Sequence, residues 1–278
     1  MKQKHHDYQL IPYPKLRRTM AVAERSFLRK PMIHGLIEVD VTRARAYLRD
    51  HKAKTGESLS FTAFIIACVG KAVDEDKAVQ AYRQGRKHLV VFDDVDVATP
   101  IEREMAGQPV PLVCVIRAAN KKTFRQIHHE IRAAQGQDVA KALQGFKAFE
   151  FLPTVLSTRL LWWLLRTFPR LHKHVGGTVI LTAVGMFGKG AGWGIPVAEH
   201  PLSITLGGIA QKPGVVDGQI ALRDYLCMTL SFDHSLVDGA PAARFTGRLK
   251  DLIESGYGLD DSTVESEQAL AAGTSKKS

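Results

Sequence analysis

The segment Phe61 to Val73, FTAFIIACVGKAV, carries a single charged side chain, Lys71. Its apolar residues fall on nearly every side of a 3.6-residue turn, and Ser60 stands where a helix cap belongs. A helix without a polar face must be covered all round, so the chain has to build layers against it.

The flanking sequence supplies those layers. Gly35 to Val41 alternates Ile37, Val39 and Val41 against Leu36, Glu38 and Asp40, the period of a half-buried strand. Thr42 is placed to cap a helix running to about Lys54, with Ala44, Tyr47 and Leu48 on one face. His88–Thr99 and Pro109–Arg117 are rich in Val and Ile and predict strands; Lys121 to Gln135 predicts an amphipathic helix with Phe124, Ile127, Ile131 and Ala134 inward. Gly177–Val184, Pro201–Ile209 and Tyr225–Phe232 predict three more strands, and Pro241 to Glu254 a closing helix facing inward through Phe245, Leu249 and Leu252. Strands and helices mixed without strict βαβ order predict one α+β domain. The 278 residues, 45% of them hydrophobic, suffice for one sizeable core. Residues 1–14, with Pro12 and Pro14, read as an extended N-terminal arm, 15–257 as the folded domain, and 258–278 as a polar disordered tail.

The net charge of +10 raises the question of a polyanionic partner. The positive residues are spread along the chain without a basic run interleaved with aromatics, which argues against nucleic acid; a solvated basic surface is the plain reading, and a small anionic ligand such as a phosphorylated cofactor the sharper one. The N-terminus lacks the apolar core of a secretory signal, and Val155 to Phe168, the most apolar stretch, is broken by Arg159 and Arg166 and is too short to span a bilayer. That stretch, with Trp162 and Trp163, reads as an amphipathic helix packed on the core, and second as a lid over an acyl pocket. Cys68, Cys114 and Cys227 are odd in number, lie in apolar runs and show no metal-ligand spacing, which predicts reduced buried thiols in a cytoplasmic protein.

Two motifs resemble cofactor sites without meeting their requirements. Gly185-Met-Phe-Gly-Lys-Gly-Ala-Gly-Trp-Gly194 has Gly190 where a phosphate loop needs Ser or Thr after the lysine, and its glycine spacing fails the dinucleotide pattern. A flexible turn between strands is the expectation. Asp76-Lys77-Ala78 matches a lipoyl-carrying tripeptide but follows a buried helix instead of sitting in a small all-β domain.

The chemistry-bearing stretch is Ser231-Phe-Asp-His-Ser-Leu-Val-Asp-Gly239, after the apolar run Tyr225 to Leu230. A strand that ends in His234, turns at Asp238-Gly239 and restarts as a helix at Pro241 presents one imidazole at an edge. Imidazole is suited to removing a proton near neutral pH. An isolated H-x-x-x-D-G is more often a half-buried histidine beside an ordinary turn, so the motif alone assigns nothing.

It does not stand alone. Leu16-Arg-Arg-Thr-Met-Ala21, Ile33 to Val41, Ser60 to Ile66, Gly177-Thr-Val-Ile-Leu-Thr-Ala-Val-Gly-Met-Phe-Gly188 and Ser231 to Gly239 together resemble, in order over about residues 10–257, the catalytic domain of the 2-oxo acid dehydrogenase dihydrolipoyl acyltransferases, and more distantly chloramphenicol acetyltransferase. The resemblance implies an α/β sandwich, a chloramphenicol acetyltransferase-like mixed sheet covered by helices, assembled as a homotrimer with sites between subunits. It implies an acyltransferase that moves an acyl group between coenzyme A and a thiol of dihydrolipoyl type or another small acceptor. His234 takes the general-base position; Asp238 takes the orienting acidic position, paired with Arg17 or, second, Arg18; Thr182 stands where the family usually has an oxyanion-donating serine. Coenzyme A or acyl-CoA is then a substrate, with no metal and no covalent lipoyl on this chain, and the acceptor is a lipoylated protein or a small molecule. The residue after the histidine is usually arginine in the family and is Ser235 here. The polar tail favours a free trimer over a larger shell, as a stand-alone form without a lipoyl domain. A non-catalytic trimeric scaffold and a chloramphenicol-type O-acetyltransferase are the competing readings.

Overall fold

The computed structural model describes residues 30–105, 108–136, 167–185 and 190–259, and a few further positions (11–13, 21, 160, 163–165 and 188). The arm at 1–10, Arg17, Arg18, Trp162 and the tail from 260 lie outside the described residues.

Eight strands are described: β1 (Met32–Asp40), β2 (Tyr82–Gln84), β3 (His88–Val90), β4 (Val97–Met105), β5 (Gln108–Ile116), β6 (Val179–Ala183), β7 (Leu202–Val216) and β8 (Gln219–Asp233). Five helices accompany them: α1 (Thr42–Thr55), α2 (Phe61–Glu75), α3 (Phe124–Gln135), α4 (Pro169–Gly176) and α5 (Gly239–Glu254). Six strands form one mixed sheet in the order β1-β8-β7-β6-β4-β5, with β6 parallel to both β7 and β4 and the other neighbours antiparallel; β2 and β3 make a separate hairpin.

The apolar helix is central, as its sequence requires. Ser60 caps α2 by accepting the Ala63 N–H, and ten of its residues are buried. One face of the sheet packs in the same core, through Val39, Leu226, Met228, Leu230, Ile204, Leu206, Val179 and Leu181. The side chains that alternate with these form a polar face: His34, Ser231, Ser203, Thr229, Thr205 and Thr182. His34 Nδ1 lies 2.8 Å from Ser231 Oγ on it.

Three expectations change. Thr42 is the first residue of α1, not its cap; its N–H and hydroxyl both donate to Asp40 Oδ1, at 2.9 and 2.6 Å, so Asp40 secures that end. His88–Thr99 is two strands, β3 and the start of β4, because Asp96 bends the chain inward: its carboxylate accepts the Ala118 N–H at 2.9 Å and pairs with Arg117 at 2.9 Å. The strands predicted at Pro201–Ile209 and Tyr225–Phe232 are the inner halves of a far longer hairpin closed at Asp217-Gly218, both with positive φ (50° and 78°), the signature of a two-residue turn.

Of the apolar stretch 154–168, Trp163 to Leu165 are helical, Leu165 is buried and Trp163 exposed; most of the rest lies outside the described residues. Among the described residues no helix is long and apolar enough to cross a membrane.

Candidate active site

His234 follows the last residue of β8, and the backbone there is fixed from both sides. The Asp233 N–H donates to the Pro201 carbonyl at 2.9 Å, and the His234 N–H to the Pro31 carbonyl at 2.7 Å. Asp233 then closes the turn: Oδ1 accepts the Ser235 N–H at 3.1 Å and hydroxyl at 2.6 Å, while its carbonyl accepts the N–H groups of Leu236 and Val237. Ser235, the departure from the family's arginine, is thus a partner of Asp233. The His234 ring sits with Nδ1 3.1 Å from the Val237 carbonyl. A carbonyl only accepts, so this bond requires the proton on Nδ1 and leaves Nε2 with a free lone pair. That is the tautomer of a base. Asp238 Oδ1 lies 4.0 Å from the same Nδ1, and its side chain is 88% exposed in the single chain. Asp238 occupies the N-cap position of α5 without a side-chain cap bond, and its expected partners Arg17 and Arg18 lie outside the described residues.

Thr182 is near the end of β6, on the polar face, with its hydroxyl 3.2 Å from that of buried Thr205. The register puts Thr182, Thr205 and Thr229 in one row across β6, β7 and β8. His234 is five residues further along β8 than Thr229, or ~16 Å at ~3.3 Å per residue, and β6 is two strand spacings, ~10 Å, to the side. Within one chain the two groups are therefore roughly 19 Å apart and at opposite ends of the sheet. One chain does not bring them together.

The glycine-rich segment packs against the Thr182 end; Gly188, Gly190 and Gly192 have open space around them, as a loose turn would, whereas Gly185 of the segment and Gly207 and Gly208 of β7 serve close approach. A methyl at Gly185 would meet the Gly207 carbonyl at 1.7 Å, one at Gly207 the Gly192 carbonyl at 2.0 Å, and one at Gly208 the Gly190 carbonyl at 1.8 Å. Gly207 and Gly208 lie where the β7–β8 register shifts, and the Gly208 N–H donates to the Gly192 carbonyl. An apolar cavity of about 230 Å³ lies beside this contact, lined by Phe61, Ala183, Leu206, Ile209, Leu226 and glycine backbone. Ala183 faces it, so the Thr182 hydroxyl leaves the sheet on the other side.

Two polar clusters had no sequence signal beyond the histidines themselves. At the His234 end, His172 of α4 lies tilted against Tyr82 and edge-on to His200, with ring centroids 4.8 and 5.1 Å away, and its Nε2 is 3.6 Å from Glu199 Oε1. His200 Nε2 donates to the Gly176 carbonyl at 2.8 Å. Burial pushes the Glu199 carboxyl up to about 7 and holds the imidazoles of His172 and His200 down, to about 2 and about 4. Before the start of α2, Glu57, with His128 and His129 of α3, brings three ligand-type atoms within 4.8 Å. The Ser60 N–H donates to His128 Nδ1 at 3.1 Å, which puts the ring proton on Nε2, and Arg125 stands 3.3 Å from Glu57 Oε2. Those neighbours suit a hydrogen-bonded charge cluster and oppose a cation. Lys77 of the Asp76-Lys77-Ala78 tripeptide begins a short 3-10 turn and pairs with Asp74 and Asp93.

The fold and the sequence as a whole, more than any single side chain, place the chain in a class. The model of the 2-oxoacid dehydrogenases acyltransferase (catalytic domain) family matches residues 5–145 and 170–259. The chain belongs to that family. It is 28% identical over 259 residues to the lipoamide acyltransferase component of the branched-chain alpha-keto acid dehydrogenase complex of Bacillus subtilis, covering 91% of this chain and 53% of that protein. It is 25% identical to the dihydrolipoyllysine-residue acetyltransferase component of the pyruvate dehydrogenase complex of the same organism, over 80% of this chain and 45% of that protein. The chain thus spans about half the length of these relatives. Its fold is shared with a probable dihydrolipoamide acetyltransferase from Listeria monocytogenes (TM-score 0.66, 24% identity, 90% of this chain and 95% of that one) and with the cubic core of a pyruvate dehydrogenase multienzyme complex (TM-score 0.67, 21% identity, 92% and 95%).

Proposed function

We propose that this chain transfers acyl groups between coenzyme A and a dihydrolipoyl-type thiol or another small acceptor, at sites built from His234 of one copy and Thr182 of its neighbour in a homotrimer. The observation that carries the reading is the His234 ring, whose Nδ1–H is committed to the Val237 carbonyl so that Nε2 is the basic nitrogen. The separation of His234 from Thr182 supports a shared site, because one reacting thioester cannot lie within hydrogen-bond reach of both in a single chain. The Azotobacter vinelandii dihydrolipoamide acetyltransferase, whose catalytic mechanism was investigated at a serine, a histidine and an asparagine, spaces those residues by 52 and then 4 positions, as Thr182, His234 and Asp238 are spaced here.

In this mechanism the acceptor thiol, with an ordinary pKa of about 8.5, is mostly protonated at neutral pH. His234 Nε2 takes its proton as the sulfur attacks the thioester carbonyl carbon. The carbonyl oxygen becomes an oxyanion, to which the Thr182 hydroxyl donates. Collapse re-forms the carbonyl, breaks the bond to the departing thiolate, and His234 returns the proton to that sulfur. Asp238 orients the histidine turn, with Arg17 as its ion-pair partner and Arg18 second. A cytoplasmic location belongs to the same reading, with Cys68 and Cys227 as buried thiols.

The test is a screen of acyl-coenzyme A thioesters against dihydrolipoamide and small alcohols, with release of free coenzyme A thiol as the readout. Turnover with a thiol or alcohol acceptor is expected. No transfer with any pair, from a folded and assembled protein, would overturn the reading.

A further inference from the structure

Helix α4 turns its polar side inward. Its buried residues are Pro169 and His172, with the imidazole against Tyr82 and His200, and its outward stripe is Leu171 and Val175, 37% and 47% exposed. The stripe begins before the helix. The Thr167 hydroxyl donates to the Trp163 carbonyl at 2.8 Å and the Phe168 N–H to the Leu164 carbonyl at 2.9 Å, so the turn that carries Trp163 leads directly into α4. Leu160, Trp163 and Phe168 are 43%, 58% and 48% exposed, which extends the bare apolar face over five positions spaced three to five residues apart. A surface helix ordinarily buries its apolar side, and an apolar stripe turned outward marks a contact surface.

Charge says what kind of surface it meets. From Phe151 to Ala198 the sequence contains no Asp or Glu but five Lys and Arg. Arg170 and His174 of α4 are exposed beside the stripe. Asp94 and Asp96, which the helix approaches through Lys173, are already matched by Lys121 at 2.6 Å and Arg117 at 2.9 Å. Glu199 is on the inward side, 3.6 Å from buried His172. Tryptophan and branched apolar side chains beside cations are the groups that settle between the acyl chains and the headgroups of a negatively charged bilayer. Among the described residues no helix is long and apolar enough to cross a membrane, so such an attachment is to its surface.

We propose that the face of Leu160, Trp163, Phe168, Leu171 and Val175 seats this chain on the surface of an anionic phospholipid bilayer, with the apolar side chains at the acyl-chain boundary and Arg170 among the headgroup phosphates. His200, against which His172 packs, precedes the Pro201 whose carbonyl holds Asp233, so the end of the sheet turned to the lipid is the one that carries His234. The inference does not depend on acyl transfer.

The test is co-sedimentation of the purified chain with sucrose-loaded vesicles, read without substrate. Wild-type protein should pellet with mixed phosphatidylglycerol and phosphatidylcholine vesicles; with phosphatidylcholine alone its partition should be at least about tenfold weaker, and added salt should weaken the anionic case. Leu171→Ser with Val175→Ser should lower the partition onto anionic vesicles about tenfold or more, with circular dichroism and light-scattering mass unchanged. Arg170→Gln should lower it about fivefold. Lys52→Gln with Lys54→Gln, in the exposed last turn of α1, removes two charges elsewhere and should matter less than Arg170→Gln does. Wild-type protein that stays in the supernatant, equal pelleting with both lipids, or an α1 pair that matters as much as the α4 face would overturn the proposal. So would a lower mass in the serine variant, which would assign the face to contact between copies. If the serine pair disturbs the fold, Val175→Ser alone and the lipid series with wild-type protein decide the matter.

Discussion

At its His234 end the sheet is tied off by N–H groups that donate to proline carbonyls, an aspartate that closes the turn, and a layer of buried imidazoles. At its Thr182 end almost no side chain intervenes: glycine backbone lies directly on glycine backbone, and the hydroxyl rests on another threonine. The first end tolerates small changes because each bond is one of several. The second has no slack, since a carbonyl oxygen cannot rotate out of the way of a new methyl. In the proposed mechanism a base needs an orientation that several partners share and an oxyanion donor needs a position, which matches the contrast between the two ends.

The sharpest test of this contrast is His234→Ala. It removes the proposed base while the bonds of Asp233 to Pro201 and Ser235 stay, so kcat should fall about 10²–10⁴-fold with the unfolding midpoint almost unmoved. A folded variant with a near-normal rate would remove His234 from the chemistry. Thr182→Val comes next, keeping shape and deleting the hydroxyl; kcat should drop about 10²–10³-fold with little change in KM, and Thr182→Ser should retain activity. A Val variant as active as the parent would point to another donor.

Gly208→Ala probes the glycine packing. Its new methyl would meet the Gly190 carbonyl at 1.8 Å, and overpacking of this kind costs about 1–3 kcal/mol, read as a lowered denaturation midpoint. A parent-like midpoint would show that the segment yields. At the other end Ser235→Ala loses only one of several bonds within the turn and should cost less, about 1 kcal/mol.

The last contrast is the dependence of stability on pH. The His172 and His200 imidazoles refuse protons in the folded chain down to about 2 and about 4, but accept them near 6.5 when unfolded. The stability they contribute is complete above pH ~6.5 and is lost as pH falls. Glu199 works in the opposite sense: the folded carboxyl keeps its proton up to about 7 against 4.5 in the unfolded chain, so its contribution is complete at low pH and is lost as pH rises through that window. Between pH ~4.5 and ~6.5 two imidazoles outweigh one carboxyl, and stability should fall by about 1.4 kcal/mol per unit of acidification. Glu199→Gln removes the opposing group, and denaturant titrations across that range should show a slope about twice as steep. An unchanged slope would mean that Glu199 is already ionised there.

Much of this was legible in the sequence. The period of Gly35 to Val41, the all-apolar α2 with its Ser60 cap, and the inward face of α5 are local patterns that the fold keeps. So is the histidine, since a strand, a turn and a helix start are all written in Tyr225 to Pro241. The outer hairpin escaped because Lys212, Gly214, Ala221 and Arg223 dilute the apolar alternation, although Asp217-Gly218 between Val216 and Gln219 is itself a turn signal. The bend at Asp96 depends on Arg117 and Ala118, which are remote in sequence. The 19 Å between Thr182 and His234 follows from strand register, which no local pattern states.

Both long edges of the sheet carry obstacles to strand addition. The outermost strand on one side, β5, holds Pro109 and Pro111, which have no N–H to offer a further strand. On the other side the Trp193 indole N–H already occupies the Ile37 carbonyl of β1 at 3.0 Å. The flanks of the sheet therefore offer poor templates for fibre growth, even with an apolar hairpin bare at its tip.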